Sequence, residues 1–379
     1  MAAPRASQQA LSTAVEREAQ SAGDVKLGLA PRYLALAALR RVPYVLAALA
    51  LFVLALELLT AGASGAQSLL SNLSADGPLN LFGFGWLGAY VMLSGSPVAA
   101  TSLSLFSGGA ISELESFALI TGSRFGASFM VLIVGFVYYL RHQRNPDGLY
   151  IGVVALLTTF TIYTPSLIGG LVVLDQGWFD GVNAGAPPGF ATITQNSVGN
   201  LAERADDVLP ALLLFVLGAG VLLVSFQLFD QVLPNLNPPS PRVERVLVFF
   251  HRPLAMFLMG GLVTLATLSV SISLTLLVPL SMKGVIRRQS IVPYVMGANI
   301  TTFIDTLFAA VLLDTPLAVT VVVTQMALTA AVSLVVLALL FRPYQRAVLA
   351  AAHYLTANRR RFIAFLAAIF AVPAVLLAV

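Results

Sequence analysis

Nine apolar stretches follow one another along this chain, at residues 42–62, 81–106, 125–140, 149–174, 209–229, 254–280, 291–313, 316–341 and 362–379. Most reach the roughly 20 residues that a helix needs to cross hydrocarbon. Lipid cannot satisfy backbone N–H and C=O groups, so segments of this kind must bond internally, as helices. Only 10% of the residues are charged and 58% are hydrophobic, against about 25% charged in soluble domains. The lipid bilayer is therefore the expected partner, and the expected fold is an all-α integral membrane protein.

The chain has no Cys, and its three histidines, His142, His251 and His353, share no metal-ligand spacing. No nucleophile–base–orienter set appears among its polar residues, which argues against an enzyme. The formal charge of +4 and pI of about 9.5 come from basic residues at the ends of apolar runs. They read as a topology signal and not as a nucleic-acid surface.

Internal similarity is the next constraint. An offset of 175 aligns residues 78–130 with 253–305 without a gap and gives twelve identities in 53 positions. They include Pro78 with Pro253, Gly85 with Gly260, Ser94 with Ser269, Ser96 with Ser271 and Gly122 with Gly297. Roughly four would arise by chance in so Leu- and Ala-rich a chain, so the pattern reads as a distant duplication.

Charge then orients the copies. Residues 1–41 carry Arg5, Arg17, Lys26, Arg32, Arg40 and Arg41, the turn after Leu140 carries Arg141 and Arg144, and residues 231–252 carry Arg242, Arg245 and Arg252. Positive residues favour the cytoplasm. Residues 175–207 hold five acids against Arg204 and belong outside. All these assignments agree if residues 80–108 and 254–282 are hairpins that enter and leave on one side, with tips at 94–97 and 269–273. Polar breaks in the following spans are expected at Gly122–Gly126 and Gly297–Thr302. The competing reading makes each hairpin one long tilted helix.

The expected organisation is a polar cytoplasmic segment (1–41), a first membrane repeat (42–174), an extracytoplasmic loop (175–207), a second repeat (208–341), and a basic amphipathic connection with a final span (342–379). Seven spans and two hairpins result, with the N-terminus cytoplasmic, the C-terminus outside and a bacterial-type inner membrane as the location. An uncleaved first span is expected, because 42–62 is long for a signal-peptide core. Copies that start on opposite faces form an inverted-repeat transporter architecture, whose site lies at the repeat interface near mid-membrane.

The residues suited to that site are polar groups in apolar runs. The second tip reads Ser269-Val270-Ser271-Ile272-Ser273 and the second break Gly297-Ala298-Asn299-Ile300-Thr301-Thr302. Hydroxyls, an amide and freed carbonyls suit an alkali cation, while freed N–H groups suit an oxyanion. Arg124 lies in the first break and Asp305 one turn after the second. An arginine inside a span costs about 2.5–3.5 kcal/mol on insertion scales, so it implies a partner or a task. Two readings of Arg124 stand: it meets an anionic substrate or replaces a bound sodium, or it serves structure alone, by pairing with Asp305 or Glu57 or by snorkelling to an interface.

Gly297 to Thr302 resembles the second break of the sodium/phosphate cotransporter family, Gly-Ala-Asn-Ile-Gly-Thr-Thr, with Thr301 in place of its Gly and Phe303 in place of its closing Thr. The family's two Gln-Ser-Ser-Ser hairpins align with Leu93-Ser94-Gly95-Ser96 and Leu268-Ser269-Val270-Ser271. Both Gln positions are Leu, and Arg124 stands where Asn299 keeps the family's Asn. The resemblance covers about residues 42–341. It implies a sodium-coupled transporter of phosphate or a related small oxyanion, with Ser94, Ser96, Ser269, Ser271, Asn299 and Thr302 at the site and sodium at Asn299 and Thr302. Beyond sodium it implies no cofactor.

Two other functions fit the same residues. One is a proton-linked or uncoupled anion transporter that uses Arg124 and Asp305. The other is a non-transporting membrane scaffold or sensor whose motifs have eroded. Oligomeric state leaves no trace in the sequence.

Overall fold

The computed structural model describes residues 31–72, 77–141, 147–178, 200–232, 252–282, 286–313 and 315–378. Most of the polar N-terminal segment, the acidic loop around Asp180, and Arg144, Arg242, Arg245 and Gly284 lie outside them. Every regular element among the described residues is helical. They are α1 (Pro31–Ala61), α2 (Ala63–Asn72), α3 (Pro78–Met92), α4 (Ser96–Ser107), α5 (Glu113–Ala127), α6 (Phe129–Arg141), α7 (Asp147–Asp175), α8 (Asn200–Asp206) and α9 (Ala211–Val232), followed by α10 (Pro253–Thr267), α11 (Val270–Thr275), α12 (Leu277–Met282), α13 (Arg288–Thr301), α14 (Ile304–Leu312), α15 (Pro316–Val335), α16 (Phe341–Thr356) and α17 (Arg359–Leu376).

Six helical stretches among them are long and apolar enough to cross a bilayer: Val42–Ala61, Glu113–Arg141, Asp147–Asp175, Ala211–Phe229, Arg288–Leu312 and Leu317–Thr356. By helix length and hydropathy this is a multi-pass membrane protein. The final apolar run is not among the six. Its helix, α17, opens on Arg359, Arg360 and Arg361, and those charges shorten the stretch that lipid could cover. α17 runs antiparallel to α3, with the Tyr90 hydroxyl donating to the Ile369 carbonyl (3.0 Å) and Asn80 Nδ2 donating to the Leu376 carbonyl (3.1 Å).

The chain reverses between α3 and α4. Pro97 starts α4 within its first turn, and Leu93 closes α3 in the left-handed region at φ 53°. α3 then lies parallel to α5: a methyl at Gly122 would overlap the Phe82 carbonyl and one at Gly126 the Trp86 carbonyl. α4 lies antiparallel to it. A methyl at Gly95 would fall 2.8 Å from the Ser123 carbonyl, while Ser102 Oγ meets Ser116 Oγ at 3.0 Å. The tip at 93–95 therefore stops halfway along the span Glu113–Arg141. A capping box formed by Ser112 and Glu115 starts that span.

Several of these features have counterparts 175 residues later. Leu268, at φ 47°, and Leu93 are the two non-glycine residues of positive φ among the described residues. Gly85 would meet the Leu119 carbonyl and Gly260 the Tyr294 carbonyl, just as Gly122 would meet Phe82 and Gly297 would meet Phe257. Each pair of positions differs by 175. These crossings bring two backbones close enough to exclude any side chain, which is why small residues mark them.

The expected breaks need correction. Gly122–Gly126 lies inside α5, and Gly297–Thr301 inside α13. Their glycines pack against α3 and α10 and do not unwind the helix. The interruptions come later, at Ser128 and at Thr302–Phe303, and they are kinks whose backbone stays bonded. Thr302 N–H donates to the Ala298 carbonyl at 3.1 Å and Ser128 N–H to the Arg124 carbonyl at 3.4 Å.

Two apolar cores meet at these kinks. One joins α6, the first half of α7, α10 to α13 and α16. The other joins α1, α3, α4, α5, α14 and α15. Each kinked span thus passes from one core into the other. The span Leu317–Thr356 contains the turn of π-helix Val336–Leu340, where its apolar half gives way to the basic amphipathic α16. Tyr344 and Gln345 tie α16 to Thr161 of α7 (2.7 Å) and to the Gln289 carbonyl of α13 (2.6 Å).

Candidate functional site: a buried cation between the kinked spans

Arg124 lies on the last turn of α5 with 2% of its surface exposed. It reaches across the boundary of the two cores to the start of α14. Nη1 donates to Thr302 Oγ1 at 3.4 Å, Nη2 donates to Thr306 Oγ1, and the guanidinium lies 4.8 Å from the centre of the Phe303 ring. Asp305 Oδ1 stands 3.6 Å from Nη2. That oxygen accepts from the Thr306 N–H at 2.6 Å and the Thr306 hydroxyl at 2.9 Å. Thr306 therefore links the two charges, accepting from one and donating to the other.

The ion pair is open. A charge-assisted N–H···O bond spans about 2.7–2.9 Å, and 3.6 Å is well beyond that. Arg124 Nε and Asp305 Oδ2 are both buried without a hydrogen-bond partner. Unsatisfied ionic groups are costly in a protein interior, so an additional polar species, or a changed arrangement, would stabilise this cluster.

The structure brings together three of the residues singled out from sequence: Arg124, Thr302 and Asp305. Asn299 lies close by in α13 and is tied to α7, with Nδ2 donating to Thr159 Oγ1 (3.2 Å) and the backbone carbonyl accepting from the Tyr163 hydroxyl (2.7 Å). Thr301 donates to the Gly261 carbonyl at 2.9 Å and so serves the α10–α13 crossing. Ser273 joins Thr264 (2.7 Å) and Tyr294 (3.0 Å), which pins the second hairpin to α13. Ser269 caps α11 by accepting from the Ile272 N–H at 3.3 Å. At the first tip Ser96 is buried and Ser94 half-buried, and Ser271 is half-buried at the second.

Comparison with protein-family models, with curated proteins and with solved structures finds no match to this chain. The resemblance to the sodium/phosphate cotransporters stands on its motif residues alone.

Sequence reasoning missed Thr306, Phe303, Tyr163 and Thr159. The dipeptide Asp305-Thr306 was the available signal for the first, since a hydroxyl beside an intramembrane carboxylate can relay its charge. A second polar group, Thr121 Oγ1 on Gln325 Oε1 at 2.7 Å, joins α5 to α15 one turn before Arg124. Gln325 also lies in an apolar run, which was its only mark.

A sodium ion at Asn299 and Thr302 meets an electrostatic obstacle. Thr302 Oγ1 already accepts from Arg124, and a unit cation about 4 Å from a guanidinium is repelled by roughly 4 kcal/mol at an effective dielectric of about 20. Asp305 offsets part of that.

Proposed function

We propose that this chain is a secondary transporter of a small oxyanion of the phosphate class, working by alternating access between two antiparallel copies, with Arg124 as its anion-facing residue. Three features support the two copies: the left-handed leucines 175 residues apart, the matching glycine crossings, and the opposed directions of the kinked spans. The Arg288–Asp147 ion pair puts the start of α13 beside the start of α7, the end at which α6 finishes. Arg124 is the observation that carries the reading. A permanent cation sits where the two cores and both kinked spans converge, with one donor unused.

Asp305 favours a proton-linked version over sodium coupling. Its unpartnered oxygen can take a proton, whereas the cation site expected at Asn299 and Thr302 is opposed by Arg124. On this reading protonation of Asp305 frees Arg124 for the anion.

The test is uptake of radiolabelled phosphate into proteoliposomes of the purified protein under a sodium gradient, a pH gradient, or neither, beside an Arg124→Asn variant. Uptake that needs no sodium, follows the pH gradient and is lost in Arg124→Asn is the expected result. Uptake driven by sodium would restore sodium coupling. Absence of flux under all three conditions would overturn the phosphate reading in favour of another anion or a non-transporting role.

A further inference from the structure

A cavity of about 350 Å³ lies between α1, α9, α14 and the tip of the second hairpin. Its walls include the rings of Phe52, Phe226, Phe229 and Phe308, together with Leu268 at the tip and Asp305. Phe52 is the hub of the rings, with centroids 5.6 Å from Phe226, 6.3 Å from Phe229 and 6.1 Å from Phe308. Among the described residues, Asp305 is the single charged one on the wall.

A carboxylate in such a wall is poorly matched to its surroundings. The Asp305 side chain is 9% exposed, and every contact that it makes to Thr306 and Arg124 falls on Oδ1. Oδ2 is buried and bonded to nothing. Arg124 does not depend on that second oxygen, because Thr302, Thr306 and the face of Phe303 already hold the guanidinium. Among the described residues, no side chain on the wall offers an inorganic anion a donor. Aromatic faces attract cations through the ring quadrupole, and a volume of a few hundred Å³ suits a small organic molecule. The cavity is partly open and its wall residues Leu268 and Phe308 are 43% and 40% exposed, so a ligand dissolved in the bilayer has a way in.

We propose that this cavity is a binding site for a hydrophobic organic ammonium ion, whose charge is countered by Asp305 and whose apolar part lies among the four phenylalanine rings. The site shares Asp305 with the Arg124 cluster and lies on the cavity side of that residue. Occupancy ties the ion pair to a species drawn from the membrane.

The test is equilibrium dialysis of radiolabelled benzyltrimethylammonium against the full chain in nanodiscs of zwitterionic lipid, with neopentylbenzene as the neutral molecule of the same shape. Saturable binding of the ammonium is expected, weakened at least tenfold in Asp305→Asn, while neopentylbenzene binds wild type and variant alike. Phe52→Leu leaves the ion pair intact and is expected to weaken the ammonium three- to tenfold, so the outcome does not hang on the folding of Asp305→Asn. Non-saturable binding, or equal ammonium binding to wild type and Phe52→Leu, would overturn the proposal. Dialysis needs no flux, so this result and the uptake result can fail independently.

Discussion

Replacing Asp305 by Leu removes the countercharge of a guanidinium that is 2% exposed and leaves it with two hydroxyls and a ring face. Breaking a buried pair from one side costs about 3–5 kcal/mol. The 3.6 Å separation and the unused Oδ2 put this pair near the lower end, at about 3 kcal/mol. Arg124→Met keeps most of the side chain's bulk and leaves a carboxylate that still accepts from the Thr306 N–H and hydroxyl. Its cost is smaller, about 2 kcal/mol, because a stranded carboxylate can take up a proton whereas arginine cannot lose one. The double variant, Arg124→Met with Asp305→Leu, strands neither charge and should lose less than about 1 kcal/mol. The coupling energy of the cycle is then about 4 kcal/mol, above the 0.5–3 kcal/mol of most neighbouring pairs, because each single change strands a charge. Unfolding of the four purified proteins by sodium dodecyl sulfate in mixed micelles, followed by circular dichroism, reads all four free energies. Additive costs, with the double variant as weak as the sum of the singles, would refute the claim that the two charges hold one another.

Gly85→Ala, Gly260→Ala and Gly297→Ala each push a methyl into a facing carbonyl and should cost at least the 1–3 kcal/mol of core overpacking; Gly220→Ala, with open space around it, should be neutral in the same unfolding assay. Leu93→Gly and Leu268→Gly relieve a left-handed backbone at partly exposed side chains and should leave thermal stability unchanged or raise it by up to about 1 kcal/mol. Asp147→Asn removes an exposed partner of Arg288 and should change stability by less than about 1 kcal/mol, with the difference vanishing at high salt. Tyr163→Phe deletes the bond to the Asn299 carbonyl and should cost about 1 kcal/mol, read as a fall in the melting temperature of the detergent-solubilised protein.

The helices were legible because hydrophobic length is a property of the chain itself, as is the 175-residue offset. Leu93 and Leu268 emerged from that offset as ordinary identities, and only the backbone reveals that both adopt a conformation usually left to glycine. The glycine runs were legible as special but not as to why. Glycine in a membrane helix serves close packing as well as it serves a break, and which applies depends on what lies opposite; at Gly122 and Gly297 that is the carbonyl of Phe82 or Phe257. Arg124 and Asp305 stood out by charge alone, and pairing was one of the readings open to them. Thr306, Tyr163 and Thr159 did not, because hydroxyls are common in apolar helices, where they usually bond to their own backbone four residues back, as Thr158 and Ser166 do here.

The packing restricts how alternating access could occur on the transport reading. α3 is locked to α5, and α10 to α13, by backbone-to-backbone crossings that exclude even a methyl group, so each hairpin should move together with the first half of its span. Packed apolar interfaces of this kind are bistable and do not deform gradually. The contacts that join the two units across the core boundary are different in kind. They include polar pairs, Arg124 to Thr302, Thr306 and Asp305 from the first span to the second and Asn299 to Tyr163 from the second span to α7, beside the rings of Phe129 and Phe160, which pack against both cores. Hydrogen bonds can be exchanged for equivalent ones to a bound anion, which buried methyl groups cannot do. Motion between the units is therefore least costly when a substrate oxygen replaces Asp305 or Thr302 on Arg124. That predicts that the double variant, in which no charge remains to be exchanged, keeps its fold and yet loses phosphate flux; undiminished flux in that variant would place the moving boundary elsewhere.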